Sequence, residues 1–333
     1  MAKITILGCG YGTALGVLYT KYGHEVTTWT KFEEEAELLR REREHKRLLP
    51  GVKLPDELKV TTDPKCVSGA DIIVVCIPSK FYSDALSAVK PYVDKNTVII
   101  NASKGLEEAT GKRLSELILK EFPQNRVAVI TGPCHAEEIA RLMPTTEVCA
   151  AYHRETAEYL QKTLSNESYR IYVNDDIIGC ELGGVLKNPI ALSCGIARGM
   201  GLGDNTVAAI MTRGMTEITR LGVALGANWK TFTGMAGIGD LIVTCTSQHS
   251  RNFRAGLLIG KGTPAAEAVA QVGTVEGYTN AKTAYRLALE NNVDTPIIEQ
   301  VVKVCYENAD PQECTRALMG RASKHEREQF WTD

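Results

Sequence analysis

No two of the ten cysteines form a Cys-x-x-Cys pair, and most, such as Cys76, Cys149, Cys180 and Cys305, sit among apolar neighbours. That pattern supports neither a zinc site nor a disulfide framework, and no metal site is expected. It favours reduced, buried thiols in a cytoplasmic protein. A surplus of charge of either sign is also missing. With 38 basic against 40 acidic residues the net charge is −2, which offers no basic face to nucleic acid or to an anionic membrane. No apolar stretch reaches membrane-spanning length without a charge or a cluster of helix breakers. The first strand candidate begins at Lys3, which leaves no room before it for a signal peptide.

What is present is enough chain for two domains, 333 residues. Short β-branched, nearly continuous apolar runs occur at 3–7, 25–29, 71–76, 97–101, 126–131 and 146–151, with helical stretches between several of them, as at 79–89 and 115–122. Runs of that kind suit strands covered on both faces, as in a parallel sheet. Strand and helix in alternation predict a doubly wound α/β domain over residues 1–176. The charged stretch 33–47 reads as a solvated helix. Near 175–179 the character changes. Helical periodicity at 207–225, 265–272 and 280–290, with few β-branched runs, predicts a mostly helical domain over 177–333.

Gly8-Cys9-Gly10-Tyr11-Gly12-Thr13-Ala14 follows the first strand and opens a helix. That is the setting of a dinucleotide fingerprint, in which glycines permit a tight turn and free helix amides meet a pyrophosphate. The third glycine comes one residue early against the usual Gly-x-Gly-x-x-Gly. At the end of the second strand stands Trp29-Thr30-Lys31, with no carboxylate before Glu33. The cofactor is therefore NAD or NADP, with Lys31 tilting the reading towards NADP. The other reading of Lys31 is a surface lysine that starts the next helix.

Lys187 is the only charge between Glu181 and Arg198. A helix of that composition has no solvated face. A buried ammonium finds a carboxylate or loses its proton easily, and both outcomes suit acid/base chemistry. A lysine snorkelling from a helix end is the plainer alternative. Asp240 is likewise the only charge in 234–246. Lys104, in Asn101-Ala-Ser-Lys104-Gly105, follows a strand at the edge where ligands bind in such sheets. Thr131-Gly132-Pro133-Cys134-His135 follows another. Ser250-Arg251-Asn252 offers an arginine and free amides at a helix start, which suits a phosphate. Together these clusters describe a nicotinamide site facing a small phosphorylated substrate.

Leu186-Lys187-Asn188, Gly199-x-Gly-x-Gly-Asp204-Asn205, Thr212-Arg213-Gly214, Gly234-Met-Ala-Gly-Ile-Gly-Asp240-Leu241, Thr244-Cys-Thr246 and Ser250-Arg251-Asn252 resemble NAD(P)-dependent glycerol-3-phosphate dehydrogenase of the bacterial type. So do Leu49-Pro-Gly-Val-Lys-Leu-Pro55, Ser103-Lys104-Gly105, Gly132-Pro133 with His135-Ala-Glu-Glu138, and Val275-Glu276-Gly277. The resemblance implies a Rossmann-type N-terminal domain, an all-helical C-terminal domain, and interconversion of dihydroxyacetone phosphate and sn-glycerol 3-phosphate in the cytoplasm, feeding phospholipid synthesis. It implies Lys187, Lys104, Asp240 and Thr244 as catalytic residues. It places cofactor contacts at Gly8, Gly10, Tyr11, Gly12, Lys104, Ala136, Arg251 and Glu276. Substrate contacts fall at Lys104, Gly132, Cys134, Lys187, Asn188, Asp240, Ser250, Arg251 and Asn252.

Two departures stand out. The family's turn is usually Gly-x-Gly-x-Trp-Gly-Thr-Ala, and here one residue and the tryptophan are absent. A one-residue deletion rotates a helix start by about 100° unless the loop absorbs it, so weaker cofactor binding is expected. Cys134 stands where the family usually has Ser or Thr, and a thiol is a poor hydrogen-bond donor. A related β-hydroxyacid-type reductase of another small substrate, or a catalytically weakened nucleotide-binding sensor, are the alternatives. Oligomeric state is left open, a homodimer included.

Overall fold

The computed structural model describes residues 1–323 together with His325 and Glu326. Eight strands form one sheet in the order β3-β2-β1-β4-β5-β6-β7-β8. They are β1 (Lys3–Leu7), β2 (Glu25–Trp29), β3 (Lys59–Thr61), β4 (Ile72–Val75), β5 (Val98–Asn101), β6 (Arg126–Thr131), β7 (Thr145–Ala151) and β8 (Tyr169–Asn174). Neighbours run parallel except β6 and β7, which are antiparallel. The helices of this half are α1 (Tyr11–Lys21), α2 (Glu33–Glu42), α3 (Tyr82–Val89), α4 (Leu114–Glu121), α5 (Ala136–Ala140) and α6 (Arg154–Leu164).

The continuous apolar runs are explained by burial on both faces. Ile72 and Val74 of β4 join Ile4, Ile6, Leu15 and Leu18 on one side. Ile73 and Val75 join Tyr82, Leu86, Leu114 and Ile118 on the other. Successive strand residues point to opposite faces, so a sheet with helices on both sides needs apolar residues at every position.

Three expectations change. Strands β3 and β8 were not foreseen. The first has only three residues. The second is a sheet-edge strand that buries Tyr169 and Ile171 while Arg170 and Tyr172 face out, so it never reads as a continuous apolar run. The parallel arrangement fails at β7, because only the five-residue α5 separates it from β6, too little for a crossover. The helix expected over 33–47 ends at Glu42, where Arg43 turns left-handed at φ 48° and donates to the Leu58 carbonyl at 3.1 Å.

The second half comprises α7 (Ile177–Gly199), α8 (Asp204–Ala224), α9 (Asp240–Thr246), α10 (Arg251–Gly260), α11 (Ala265–Val272), α12 (Glu276–Glu290), α13 (Pro296–Tyr306) and α14 (Pro311–Met319). The end of the expected 177–333 segment, from 327, lies outside the described residues. Helix α7 is buried along nearly all of its 23 residues and forms the axis of this half. It touches α10 backbone to backbone. A Cβ on Gly195 would lie 2.2 Å from the Phe253 carbonyl oxygen, and one on Gly256 would lie 2.2 Å from that of Leu192. Gly199 and Gly260 repeat the contact one turn on. No described helix is long and apolar enough to cross a membrane.

The two halves are tied by the buried carboxylate of Glu181, near the start of α7. Its Oε1 accepts from Asn101 Nδ2 and from the Ser115 amide, each at 2.9 Å. Its Oε2 accepts from Ser115 Oγ at 2.5 Å and Arg113 Nη1 at 3.2 Å. All three donor residues belong to the first half. Removing one partner of such a network strands the others without water. Glu181→Ala is therefore expected to lower stability by about 3 kcal/mol. Urea denaturation of the variant checks this, and a loss under about 1 kcal/mol would mean the seam does not depend on Glu181.

Candidate active site

The carboxyl ends of β1, β4, β5 and β6 open towards α7, and the charged side chains singled out in the sequence meet there. After β5 the chain delivers Lys104. Its ammonium donates to the Gly132 carbonyl at 3.0 Å, to Cys134 Sγ at 3.1 Å and to Asp240 Oδ2 at 2.9 Å. All three of its N–H donors are engaged. Gly184 of α7 makes this approach possible, since a Cβ there would lie 2.7 Å from Thr131 Oγ1 and 3.6 Å from Lys104 Cγ.

Lys187 comes from the middle of α7 and is 4 % exposed. It donates to Asp240 Oδ1 at 2.5 Å and to Thr244 Oγ1. The Thr244 hydroxyl spends its own proton on the Asp240 carbonyl oxygen, 2.7 Å away, so it can only accept from the lysine. Two of the three Lys187 donors are thus used, and the third has no protein partner among the described residues. Asp240 follows a π-helical turn, Met235–Gly239, and opens α9. Gly237, whose Cβ would lie 2.1 Å from the Phe232 carbonyl oxygen, and Gly183, whose Cβ would lie 2.2 Å from that of Ala236, let this turn press onto its neighbours.

One carboxylate is therefore shared by two ammonium groups, and the two lysines diverge. Burial pulls both down. For Lys104 the nearby Asp240, with Cys134 and Glu147, outweighs it, and its pKa lies above the usual lysine value. For Lys187 burial, aided by the charge on Lys104, prevails over Asp240, and its pKa lies below. The proton on Lys187 is the mobile one. The Cys134 thiol is pushed up to about 12 by burial and by Glu147 and stays protonated. It accepts from Lys104, which is a structural use for the sulfur at this position.

A second polar chain runs alongside. Asn188, next to Lys187, donates to Glu276 Oε2 at 3.2 Å and accepts from Asn252 at 3.0 Å. Asn252 in turn accepts from the Gly277 amide at 2.7 Å. Burial raises the Glu276 carboxyl, with Arg251 opposing. Ser250 caps α10 by accepting from the Phe253 amide at 3.2 Å, and Arg251, exposed, is its first residue.

The turn after β1 is tight where the chain demands it. Gly8 has φ 109°, and a Cβ there would lie 2.5 Å from the Cys76 carbonyl oxygen. At Gly12 it would lie 2.7 Å from Ile6. Gly10 differs. The nearest atom to an added Cβ is Leu48 Cδ1 at 3.9 Å. Packing does not ask for glycine there. What the missing side chain keeps clear is the approach to the first amides of α1, which fits a phosphate-bearing cofactor.

Ala136 opens α5 beside this region. Lys31 is not brought to the lysine pair. It lies at the end of β2, exposed, with the Asp84 carboxylate 3.6 Å away. A carboxylate thus does stand beside Lys31, contrary to the expectation from local sequence, because α3 brings it there from far along the chain. Three further carboxylates are buried, among them Glu217, which accepts from the Ile297 and Ile298 amides within the helical half. Glu181 is described above. Glu147 is the single charge in β7, the same signal that marked Lys187, and it accepts from the hydroxyls of Tyr11 and Tyr169.

Models of two families match the chain: NAD-dependent glycerol-3-phosphate dehydrogenase N-terminus over residues 3–157 and the C-terminus of the same enzyme over 176–316. A glycerol-3-phosphate dehydrogenase [NAD(P)+] of Moorella thermoacetica is 49 % identical over 327 residues, covering 97 % of each chain. The crystal structure of glycerol-3-phosphate dehydrogenase from Coxiella burnetii superposes with a TM-score of 0.92 at 36 % identity, covering 96 % of this chain and 99 % of that one. A ketopantoate reductase from Ralstonia eutropha, at 15 % identity and a TM-score of 0.61, shares the fold.

The shared carboxylate makes a test independent of any substrate. Followed by NMR of labelled lysine side chains, Lys187 should release its proton below the ordinary lysine value of 10.5 as pH rises, and Lys104 above it. Asp240→Asn removes the only charge that opposes burial at both sites at short range, so both titrations should move down. An Asp240→Asn protein in which Lys104 still titrates as in wild type would show that the carboxylate does not hold it.

Proposed function

The chain belongs to the NAD-dependent glycerol-3-phosphate dehydrogenase family, and we propose which of its residues carry the NAD(P)H-dependent reduction of dihydroxyacetone phosphate to sn-glycerol 3-phosphate, and its reverse. The observation that carries the reading is the Lys104–Asp240–Lys187 bridge at the carboxyl ends of the strands, where ligands bind in doubly wound sheets.

When bound, the nicotinamide cofactor supplies the hydride or takes it back. In reduction the carbonyl oxygen gains negative charge. Lys187, with one donor unspent and a depressed pKa, stabilises that charge and delivers the proton. In oxidation the neutral amine takes the proton from the hydroxyl. Asp240 and Thr244 hold the amine in place through both states. Lys104, charged throughout, leaves the site with an excess of positive charge that favours an anionic substrate. Ser250, Arg251 and Asn252 at the start of α10 receive the substrate phosphate, and Gly132, Cys134 and Asn188 line the remainder. Fixing the phosphate fixes the carbonyl relative to Lys187.

The amides at Gly8, Gly10, Tyr11 and Gly12 receive the cofactor's pyrophosphate, with Ala136, Arg251 and Glu276 further along it. The cofactor is NAD or NADP. A preference for NADP requires Lys31 to exchange Asp84 for a 2′-phosphate. We place the division between cofactor and catalytic halves at 176/177 and the enzyme in the cytoplasm, supplying phospholipid synthesis, with a homodimer as its assembly. The curated relatives at 49 % and 45 % identity are named for this reaction, whereas the likeness to a reductase of another small substrate is one of fold alone. This favours the dehydrogenase over that reductase and over a sensor.

Lys187→Ala should lower kcat by about a hundredfold or more, since it removes both proton transfer and charge stabilisation, while cofactor binding by calorimetry stays near wild type. Retention of a third of the wild-type rate at saturating substrate would refute the assignment. Arg251→Ala should raise KM for dihydroxyacetone phosphate by roughly tenfold or more through loss of a charge-assisted contact. Steady-state kinetics with unphosphorylated dihydroxyacetone should show a much smaller change. Equal effects on the two would mean that Arg251 does not read the phosphate.

A further inference from the structure

The first residue of α1 is tethered in a way the shortened turn makes consequential. The Tyr11 hydroxyl donates to Glu147 Oε2 at 2.8 Å, across 136 residues of sequence. Glu147 lies on β7, one strand beyond β6, and is wholly buried. Its Oε2 also accepts from the hydroxyl of Tyr169 on β8, which is buried as well. Its Oε1 has no partner among the described residues. A carboxylate in that position is expensive. An apolar strand residue would cost less, so the charge is not there for packing.

What the tether constrains is specific. Tyr11 opens the helix, so its own amide is one of those left without a partner inside the helix. Gly8 is held against the Cys76 carbonyl and Gly12 against Ile6. Thr13 Oγ1 donates to the Cys9 carbonyl at 2.6 Å. Within the turn the Gly10 carbonyl accepts from the Thr13 amide at 3.1 Å, and the Tyr11 side chain adds a tie from outside it. With one residue fewer than the usual spacing, a small rotation there redirects every first-turn amide. The bond to Glu147 restrains that rotation from β7.

We propose that Glu147 is a positioning residue for cofactor binding: by holding the Tyr11 hydroxyl, with Tyr169 holding Glu147, it fixes the direction of the α1 amides and compensates for the residue absent from the turn. This rests on the reading of that turn as the pyrophosphate site. β7, β8 and the start of α1 then form one oriented unit, in which the half-buried Tyr11 and the buried Tyr169 meet on Glu147.

The test is calorimetric titration of NADH and NADPH into the full chain. Tyr11→Phe and Glu147→Leu should each raise the cofactor Kd by about tenfold, and the double variant by about the same factor, because both remove one contact. In Tyr11→Phe, which keeps the charge that Glu147 places near Lys104 and Cys134, KM for the triose phosphate should move by less than about twofold, a split that general destabilisation would not produce. Tyr169→Phe leaves the tether in place and should matter less. The triple variant Tyr11→Phe, Glu147→Leu, Tyr169→Phe turns the cluster apolar and should keep or raise the melting temperature while still binding weakly. That outcome separates orientation from stability. If Glu147→Leu does not fold, Tyr11→Phe decides alone. Wild-type affinity in Tyr11→Phe, or recovered affinity in the triple variant, overturns the inference. A wild-type chain that binds neither dinucleotide overturns the reading of the turn, and the inference falls with it.

Discussion

The structure turns on a single carboxylate. Asp240, 1 % exposed, lies between an ammonium from the sheet half and one from the helical half. Neither lysine could be buried so deeply without it, because removing an unpartnered charge from water costs several kcal/mol. Asp240 is shared between the two ammonium groups, and Lys187, whose pKa is the one that falls, keeps one N–H without a partner among the described residues. On the proposed mechanism, oxygen that becomes negative during reaction would be stabilised there before any group has to move. The same contact closes the seam between the halves, so the chemistry and the joint are one network, with Glu181 as its second anchor.

The accuracy of that network comes from glycines on α7 rather than from long side chains. Gly183 and Gly184 bring the helix against the π-helical turn and Lys104, and Gly195 and Gly199 bring it against α10. Gly277 does the same from α12, where a Cβ would lie 2.5 Å from the Asn188 carbonyl oxygen. Backbones in contact have one separation, whereas side chains repack. Lys187 and Asn188 therefore sit on the stiffest part of the molecule, as a group that must meet a reacting atom within a fraction of an ångström should.

Much of this was legible in the chain. A lone lysine and a lone aspartate in apolar runs announce each other, because burial leaves an isolated charge few options. The doubly wound half was legible for a related reason, since strands covered on both faces write themselves as unbroken apolar runs. The same logic, applied to β7, points to Glu147, yet its partners Tyr11 and Tyr169 lie far away in sequence and nothing local names them. β8 escaped because it alternates, and β3 because three residues carry little pattern. The Asn188–Asn252 pair and the approach of Asp84 to Lys31 are tertiary facts, set by how α10 and α3 fall on their neighbours.

The backbone seam between α7 and α10 has a geometric consequence. The proton donor stands on one helix and the proposed phosphate anchor at the start of the other, and the two helices cannot slide or part without breaking a run of glycine contacts. Their spacing acts as a gauge. On the proposed roles, a ligand would be measured from its anion to its carbonyl oxygen, and one with an extra carbon between them would seat both ends less well. Discrimination by chain length would then follow from helix packing, without a side chain in the pocket that has to reject the longer molecule.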